Sequence, residues 1–316
     1  MTVKKPNKVA ILGGGVAAMT AAFELTSVPG WQQRYEVTVY QLGWRLGGQC
    51  ASGRGPHDRI EEHGLHVLLG CYENAFRMLR QCYAELDRDE TAPLATWEQA
   101  FKPYHGIIFQ EHIDGVSKLW PMDFPRNRAL PGDGGLFPKP RDYFSAAVDF
   151  LRVSVRTLQK LQRGNRRRVI GGLRHTPTIV PAFLSLRRLE PGMAREGVAD
   201  LLRRGADQLW RSYAEAGGNT AENNDVVHRM LILTNICATT VAGILRDDLI
   251  GRGFDAVDDE DLLEWLARHG AHQLTTTSAV VRALHTLVFA APKDAWPKSG
   301  LAPGAALRTA ICIVCS

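Results

Sequence analysis

No run of about 18 uncharged apolar residues occurs in this 316-residue chain, so the sequence predicts no membrane-spanning helix. The nearest approach, MLILTNICATTVAGIL, is shorter and carries Asn235 and several threonines, and it reads as a buried helix. The start, MTVKKPNK, has basic residues but no apolar core, so no secretion signal is read there. Cysteine is sparse, at positions 50, 71, 82, 237, 312 and 315, too few and too scattered for a disulfide scaffold. Reduced thiols and a cytoplasmic setting are expected. Cys312 and Cys315 form a lone CxxC without a second pair of ligands, so no metal is assigned, and a chance pair in a frayed tail is expected. Internal repeats and low-complexity tracts are also missing. The charge excess is slight, +5 with 22% charged residues, which does not point to nucleic acid.

What is present is ordinary globular composition, 45% hydrophobic, enough for one large domain or two modest ones. The sequence KVAIL is a short continuous apolar run, as expected of a buried parallel strand. VAAMTAAFELTS follows as a helix of good formers, and YEVTVYQL as a second strand. Beyond the glycine-rich stretch 43–55, helical spacing of Phe76, Leu79, Cys82, Tyr83 and Leu86 predicts a helix. GIIFQEHIDGVSKLWP reads as a hairpin around Asp114-Gly115. The proline- and glycine-rich PMDFPRNRALPGDGGLFPKPRDYF reads as a surface connection. Helices are predicted over 144–162, 198–216, 226–247 and 259–268, and QRGNRRR as a solvated linker or a lipid- or partner-facing patch.

Between the first strand and helix, Gly13-Gly14-Gly15-Val16-Ala17-Ala18 fits the pattern G-x-G-x-x-G/A. Gly13 permits the tight turn off the strand, Gly15 lets the backbone approach a pyrophosphate, and Ala18 lets the helix lie close to the sheet. The helix start offers unpaired N–H groups and the positive end of its dipole, so it favours an anion. A dinucleotide's diphosphate is the simplest occupant. At the end of the second strand, where a carboxylate usually meets the adenosine ribose, stands Gln41. It retains a donor and an acceptor and leaves open which dinucleotide binds.

The segment LGWRLGGQCASG places Gly47-Gly48 just past that strand. With Gln41, Gln49 and Ser52 it resembles the second fingerprint of FAD enzymes of the flavin amine oxidase and phytoene/zeta-carotene desaturase-like superfamily. In that fingerprint an acid precedes Gly-Gly-Arg and a Ser or Thr. Gln41 and Gln49 depart from it, and Arg45 or Arg54 could supply the missing positive charge. Gly64, His66, Gly70, Tyr72 and Asn74 resemble the Gly-x-His-x-x-x-Gly-x-Tyr-x-Asn stretch of the same proteins. The resemblance covers roughly the first ninety residues. His66 would sit near the flavin, though its sequence neighbourhood offers no positioned partner and it reads equally as a structural histidine. His63 reads as plain surface.

The resemblance implies an α/β fold: a Rossmann-like FAD/NAD(P)-binding parallel sheet with a largely helical second region. Residues 1–140 would form the dinucleotide-binding region with its hairpin, and 141–316 a mainly helical substrate region. The family's returning C-terminal FAD-binding segment is not found in the sequence. A C-terminally truncated chain is therefore expected, with apolar surface left uncovered, and ICIVCS is not expected to form a regular helix or strand end. The implied activity is hydride transfer from a substrate C–H bond to flavin, with FAD as cofactor and a small, lipidic or polyene substrate. No catalytic side chain is assigned. The mild basicity and apolar helices suit peripheral membrane contact. Two other readings stay open: an NAD(P)-dependent dehydrogenase or reductase, which would show a Tyr-x-x-x-Lys or His-carboxylate arrangement, and a non-catalytic nucleotide-binding fragment.

Overall fold

The computed structural model describes residues 5–64, 66–113, 115–134, 140–161, 195–215, 225–287 and 300–315. The predicted strand–helix–strand unit is present: β1 (Asn7–Leu12), α1 (Val16–Thr26) and β2 (Tyr35–Tyr40). The strands pair in parallel, Val9 with Val37 and Ile11 with Val39, so these four side chains share one half-buried face, and α1 packs on the pair. KVAIL is not a buried strand, however. Ala10, Leu12, Thr38 and Tyr40 point to the other face and are exposed, because no described residue pairs with or covers that side. Two further short strands, β3 (Gly53–Arg54) and β4 (Ile60–Glu61), pair antiparallel, and α2 (Glu73–Leu86) and the single-turn α3 (Trp97–Ala100) follow.

The hairpin forms as the Asp-Gly turn predicts, β5 (Gly106–Ile113) against β6 (Val116–Asp123). Its second strand runs further than expected. Met122 and Asp123 belong to β6 rather than to a surface connection, and Trp120 and Met122 are buried in the main core. Alternation explains it: Trp120 and Met122 share the strand face turned to the helices.

That core is helical. The long helices are α4 (Pro140–Leu161), α5 (Arg195–Glu215) and α6 (Asp225–Arg246), close to the predicted spans. Helix α5 buries Val198, Ala199, Leu202, Ala206 and Trp210, a stripe at helical spacing. Helix α6 is buried almost all round, from Met230 to Leu245, as a central helix must be. The stretch His228–Arg246 is long and apolar enough to cross a bilayer, but 78% of it is buried inside the protein, so the expectation of a core helix holds. Two of its buried polar side chains are satisfied within the bundle: Asn235 accepts from the His272 amide at 3.0 Å, and Thr239 donates to the Asn235 carbonyl at 2.7 Å.

Shorter helices close the bundle: α7 (Leu249–Arg252), α8 (Leu262–Arg268), α9 (Gln273–Thr276), α10 (Ala279–Leu287) and α11 (Pro303–Cys315). The tail is not frayed: Ile311–Cys315 are helical, against the sequence expectation. Leu301, Ala306 and Leu307 are buried, and Arg308 pairs with Asp255 and Asp258. The Cys312 thiol hydrogen-bonds with that of Cys71, and burial together with this neighbour raises its pKa. QRGNRRR lies outside the described residues.

Candidate functional site

Tertiary packing brings the two glycine motifs together. The Gly47 amide donates to the Gly14 carbonyl at 2.7 Å, and Gly15 and Gly47 form an isolated parallel bridge. Gly13, whose amide donates to Tyr40 at 2.8 Å, has φ +105°, the positive value expected at the tight turn. The other glycines divide by function. A Cβ on Gly14 would fall 2.4 Å from Gln41 Oε1 and 2.8 Å from Leu46 Cδ2, and a Cβ on Gly48 2.9 Å from the Gly15 Cα. Gly48, at φ +56° and against backbone, is required by the fold, whereas at Gly14 only the ends of two side chains would have to move. Gly15 is different: its backbone is ordinary extended (φ −75°, ψ 175°), and a Cβ there would meet only the Gly48 Cα, at 4.0 Å. The protein itself has no need of glycine at this position.

Gly15 is also the N-cap of α1. No side chain caps the helix, and Val16, Ala17 and Ala18 bring no carboxylate to its first turn. The helix start is therefore a set of amide donors with positive potential and no internal acceptor from a side chain.

Gln41 sits beside this turn as predicted, but its side chain has a local task. Nε2 donates to the carbonyls of Leu42 and Arg45, at 3.0 and 3.1 Å, and so pins the loop that follows β2. Gln41, Leu42, Gly43, Trp44, Arg45, Gly48 and Ala51 line a recess of about 250 Å³. Two of its apolar side chains stand out from the surface: Leu42 is 99% and Trp44 88% exposed. Neither arginine offered in the sequence as a free charge is free. Arg45 donates to the carbonyls of Ser52 and Ala51 and stacks on Trp44, and Arg54 is held by Asp58. Gln49 is exposed in the turn of 3₁₀ helix over Gly48–Cys50.

His66 does have a positioned partner, which the sequence reading missed. Glu62 Oε2 lies 2.5 Å from His66 Nδ1, while Glu62 Oε1 accepts from the Ser52 hydroxyl at 2.5 Å. The i, i+4 spacing in EEHGLH was the available clue. The carboxylate sits between the two others, so Ser52 is not activated by the histidine and no nucleophilic triad results. Through Arg45 and Ser52 the network starts at the glycine loop and runs out to His66. A Cβ on Gly64 would meet no described atom within 4 Å, and His63 is exposed as expected. Among the described residues no cluster of His, Cys, Asp and Glu could hold a metal ion.

Comparison with known proteins agrees with this geometry. The family described as NAD(P)-binding Rossmann-like domain matches residues 11–82, which contain both glycine motifs and His66. The zeta-carotene desaturase of Solanum lycopersicum, designated chloroplastic/chromoplastic, is 43% identical over 78 residues, 25% of this chain and 12% of that protein. The Arabidopsis thaliana enzyme, with the same designation, is 42% identical over 78 residues, covering 25% of this chain and 13% of its own length. The zeta-carotene desaturase of a Synechocystis strain is 37% identical over 81 residues, 25% of this chain and 15% of that protein. The chain thus matches about an eighth of the length of these relatives. No solved structure matches it significantly. The fold is Rossmann-like at its N-terminus with a helical remainder. Its N-terminal region matches a dinucleotide-binding family and is similar to zeta-carotene desaturases.

Proposed function

We propose that the glycine turn holds the diphosphate of FAD and that the protein is, or is part of, an FAD-dependent oxidoreductase. One observation carries the reading: Gly15 lacks a side chain that its own fold would accept. Glycine there is explained by something outside the chain that comes close to the backbone. The uncapped amides at Gly15–Ala18 suit a diphosphate. Gly13, Gly14, Gly47 and Gly48 shape the turn, and Gln41 and Gln49 flank it. The recess lined by Gln41, Leu42, Trp44 and Arg45 offers a further part of the dinucleotide both polar groups and the Trp44 and Leu42 side chains.

Bound flavin would supply the acceptor for hydride from a substrate C–H bond. The chain's own residues orient and desolvate. Glu62 fixes the Nδ1 side of His66 and so its ring orientation. The likeness to zeta-carotene desaturases favours a lipophilic polyene as substrate, and it is compatible with a site at a membrane surface or in the cytoplasm. We read 1–140 as the dinucleotide region and 141–316 as the substrate region.

The description of the matching family favours a second reading, NAD(P) in the same turn. Purified protein separates them. A flavin spectrum with a band at about 450 nm, either co-purified or regained with added FAD, supports the first. Tight binding of NADH with no flavin uptake replaces it with the second. A protein that binds neither dinucleotide refutes both.

A further inference from the structure

A second site lies in the helical region, and none of its lining residues belongs to the glycine turn. A cavity of about 130 Å³ opens between the hairpin and the bundle, lined by Glu111, Lys118 and Trp120 from the strands, by His228 and Arg229 of α6, and by Ser278 between α9 and α10. Its volume compares with cavities that hold one small organic molecule.

Two buried donors at this cavity are poorly satisfied. Trp120 is 1% exposed, and among the described residues its indole Nε1–H has no acceptor. A buried, unpaired N–H is costly, and native proteins rarely leave one without reason. Arg229 is 7% exposed and stacks on the same indole, 5.2 Å from the ring centre. Its guanidinium carries five donors. One donates to the Leu119 carbonyl at 2.8 Å. Another approaches Glu111 only to 3.9 Å, beyond hydrogen-bond length. Ser278 adds a hydroxyl whose oxygen already accepts from the Val281 amide at 3.5 Å, which leaves its proton to donate. Glu111 is the one carboxylate in the lining, and its Oε1 accepts from the Ala279 amide at 3.3 Å.

The lining is therefore rich in donors, and its two cations outnumber its one carboxylate by one. We propose that this cavity is a binding site for the carboxylate of a small monoanionic molecule, held by Arg229 and the Trp120 indole N–H. A planar carboxylate matches the arginine fork and takes the orphaned indole proton. A dianion is disfavoured, because Glu111 stands beside Arg229 and would repel the second charge. The site does not depend on which dinucleotide the glycine turn holds.

The test is a titration of the full chain with sodium acetate, against sodium chloride and sodium phosphate at matched ionic strength. The readout is the Trp120 indole ¹H–¹⁵N resonance, assigned through Trp120→Phe. Acetate is expected to shift it saturably, chloride not at all, and phosphate at pH 8 far less. Arg229→Lys keeps the charge and loses the fork, and should weaken acetate about tenfold. Should that variant fail to fold, Glu111→Gln carries the test in the opposite direction: it keeps the acceptor for Ala279, removes the repelling charge, and should tighten acetate severalfold. An indole that ignores acetate in both the wild type and Glu111→Gln overturns the proposal. So does an equal response to chloride, or a stronger one to phosphate.

Discussion

The Gly47 amide and the Gly14 carbonyl, from two motifs more than thirty residues apart, meet in a hydrogen bond of 2.7 Å. The contact leaves no space between the motifs: Gly48 lies directly on the Gly15 backbone. A side chain at 48 would fall 2.9 Å from the Gly15 Cα and would have to adopt φ +56°. Gly48→Ala should therefore cost roughly 1–3 kcal/mol through overpacking and a left-handed alanine. Chemical denaturation checks the magnitude. Amide exchange at Val37 and Val39 should accelerate, since this contact holds the strand–helix–strand unit.

Gln41 stands where the family pattern has an acid, and restoring the acid should harm the loop. Nε2 donates to both the Leu42 and the Arg45 carbonyls. In Gln41→Glu both donors become acceptors facing acceptors. The half-exposed position softens the cost, which is about 1 kcal/mol for two partly solvated hydrogen bonds. The sensitive measurement is limited trypsin digestion, where cleavage after Arg45 should rise severalfold. Unchanged cleavage would mean that the glutamine does not pin the loop.

The Asp247, Trp265 and His269 cluster sets the acid response of the helical core. Asp247 accepts from Trp265 Nε1 at 2.8 Å and lies 3.0 Å from His269 Nε2. Arg268 and Glu260 complete the network. Burial is the main cause that lowers the His269 pKa below 6.5, outweighing the attraction of Asp247. Burial also works to raise Asp247, but hydrogen bonds from Arg268, Trp265 and His269 outweigh it and hold the carboxyl below 3.8. Both shifts have the same sign. A group with a depressed folded pKa gives stability that is complete above its unfolded pKa and is lost as pH falls through the folded one. The melting temperature should therefore decline from about pH 6.5 downward and again below about pH 4. His269→Gln should flatten the upper step alone.

Sequence pattern carried the local elements well. Glycine punctuation and β-branched runs located β1, α1 and β2, Asp-Gly located the hairpin, and apolar spacing located α4, α5 and α6 to within a few residues. The contacts between elements were hidden. Nothing in PMDF marks Met122 as core, because its burial comes from helices far along the chain. Gly243 lies beneath Trp265, where a Cβ would come within 2.4 Å of the indole, and no local pattern announces that. At the site, the glycines were legible because φ and close approach restrict residue type. The tasks of Gln41, Arg45 and Glu62 were not, since each depends on which carbonyl or side chain the fold places opposite.

The thiols of Cys71 and Cys312 provide a covalent check on the docking of α11. They hydrogen-bond to each other, while Cys237 is fully enclosed and burial pushes its pKa up to about 12. A brief exposure to diamide should take two electrons and two protons from the first pair and join them as a disulfide, with diamide reduced to its hydrazine. Cys237 should stay unreacted, because its thiolate is scarcely populated. Mass spectrometry of an unreduced tryptic digest should find the Cys71 and Cys312 peptides linked. Cys71→Ser should abolish the product. Linkage of Cys312 to Cys50 or Cys82 instead would place α11 elsewhere.

The sharpest prediction contrasts two neighbours in the glycine turn. A Cβ on Gly14 strikes Gln41 and Leu46, while a Cβ on Gly15 meets nothing nearer than 4.0 Å. Gly14→Ala should therefore lower stability by no more than about 1 kcal/mol, since only the ends of the Gln41 and Leu46 side chains must move, and should affect dinucleotide binding only through the Gln41 loop. Gly15→Ala should leave the melting temperature of the cofactor-free protein within about a degree, because φ −75° suits alanine and no atom is displaced. Its methyl would point into the space a diphosphate needs beside the α1 amides, and affinity should fall at least a hundredfold, the loss of close contact with several donors. Calorimetric titration of both variants with FAD, paired with thermal melts without it, reads the two effects separately. Should Gly15→Ala bind as the wild type does, the diphosphate would not lie against this turn, and the assignment of the site would fail while the fold stood unchanged.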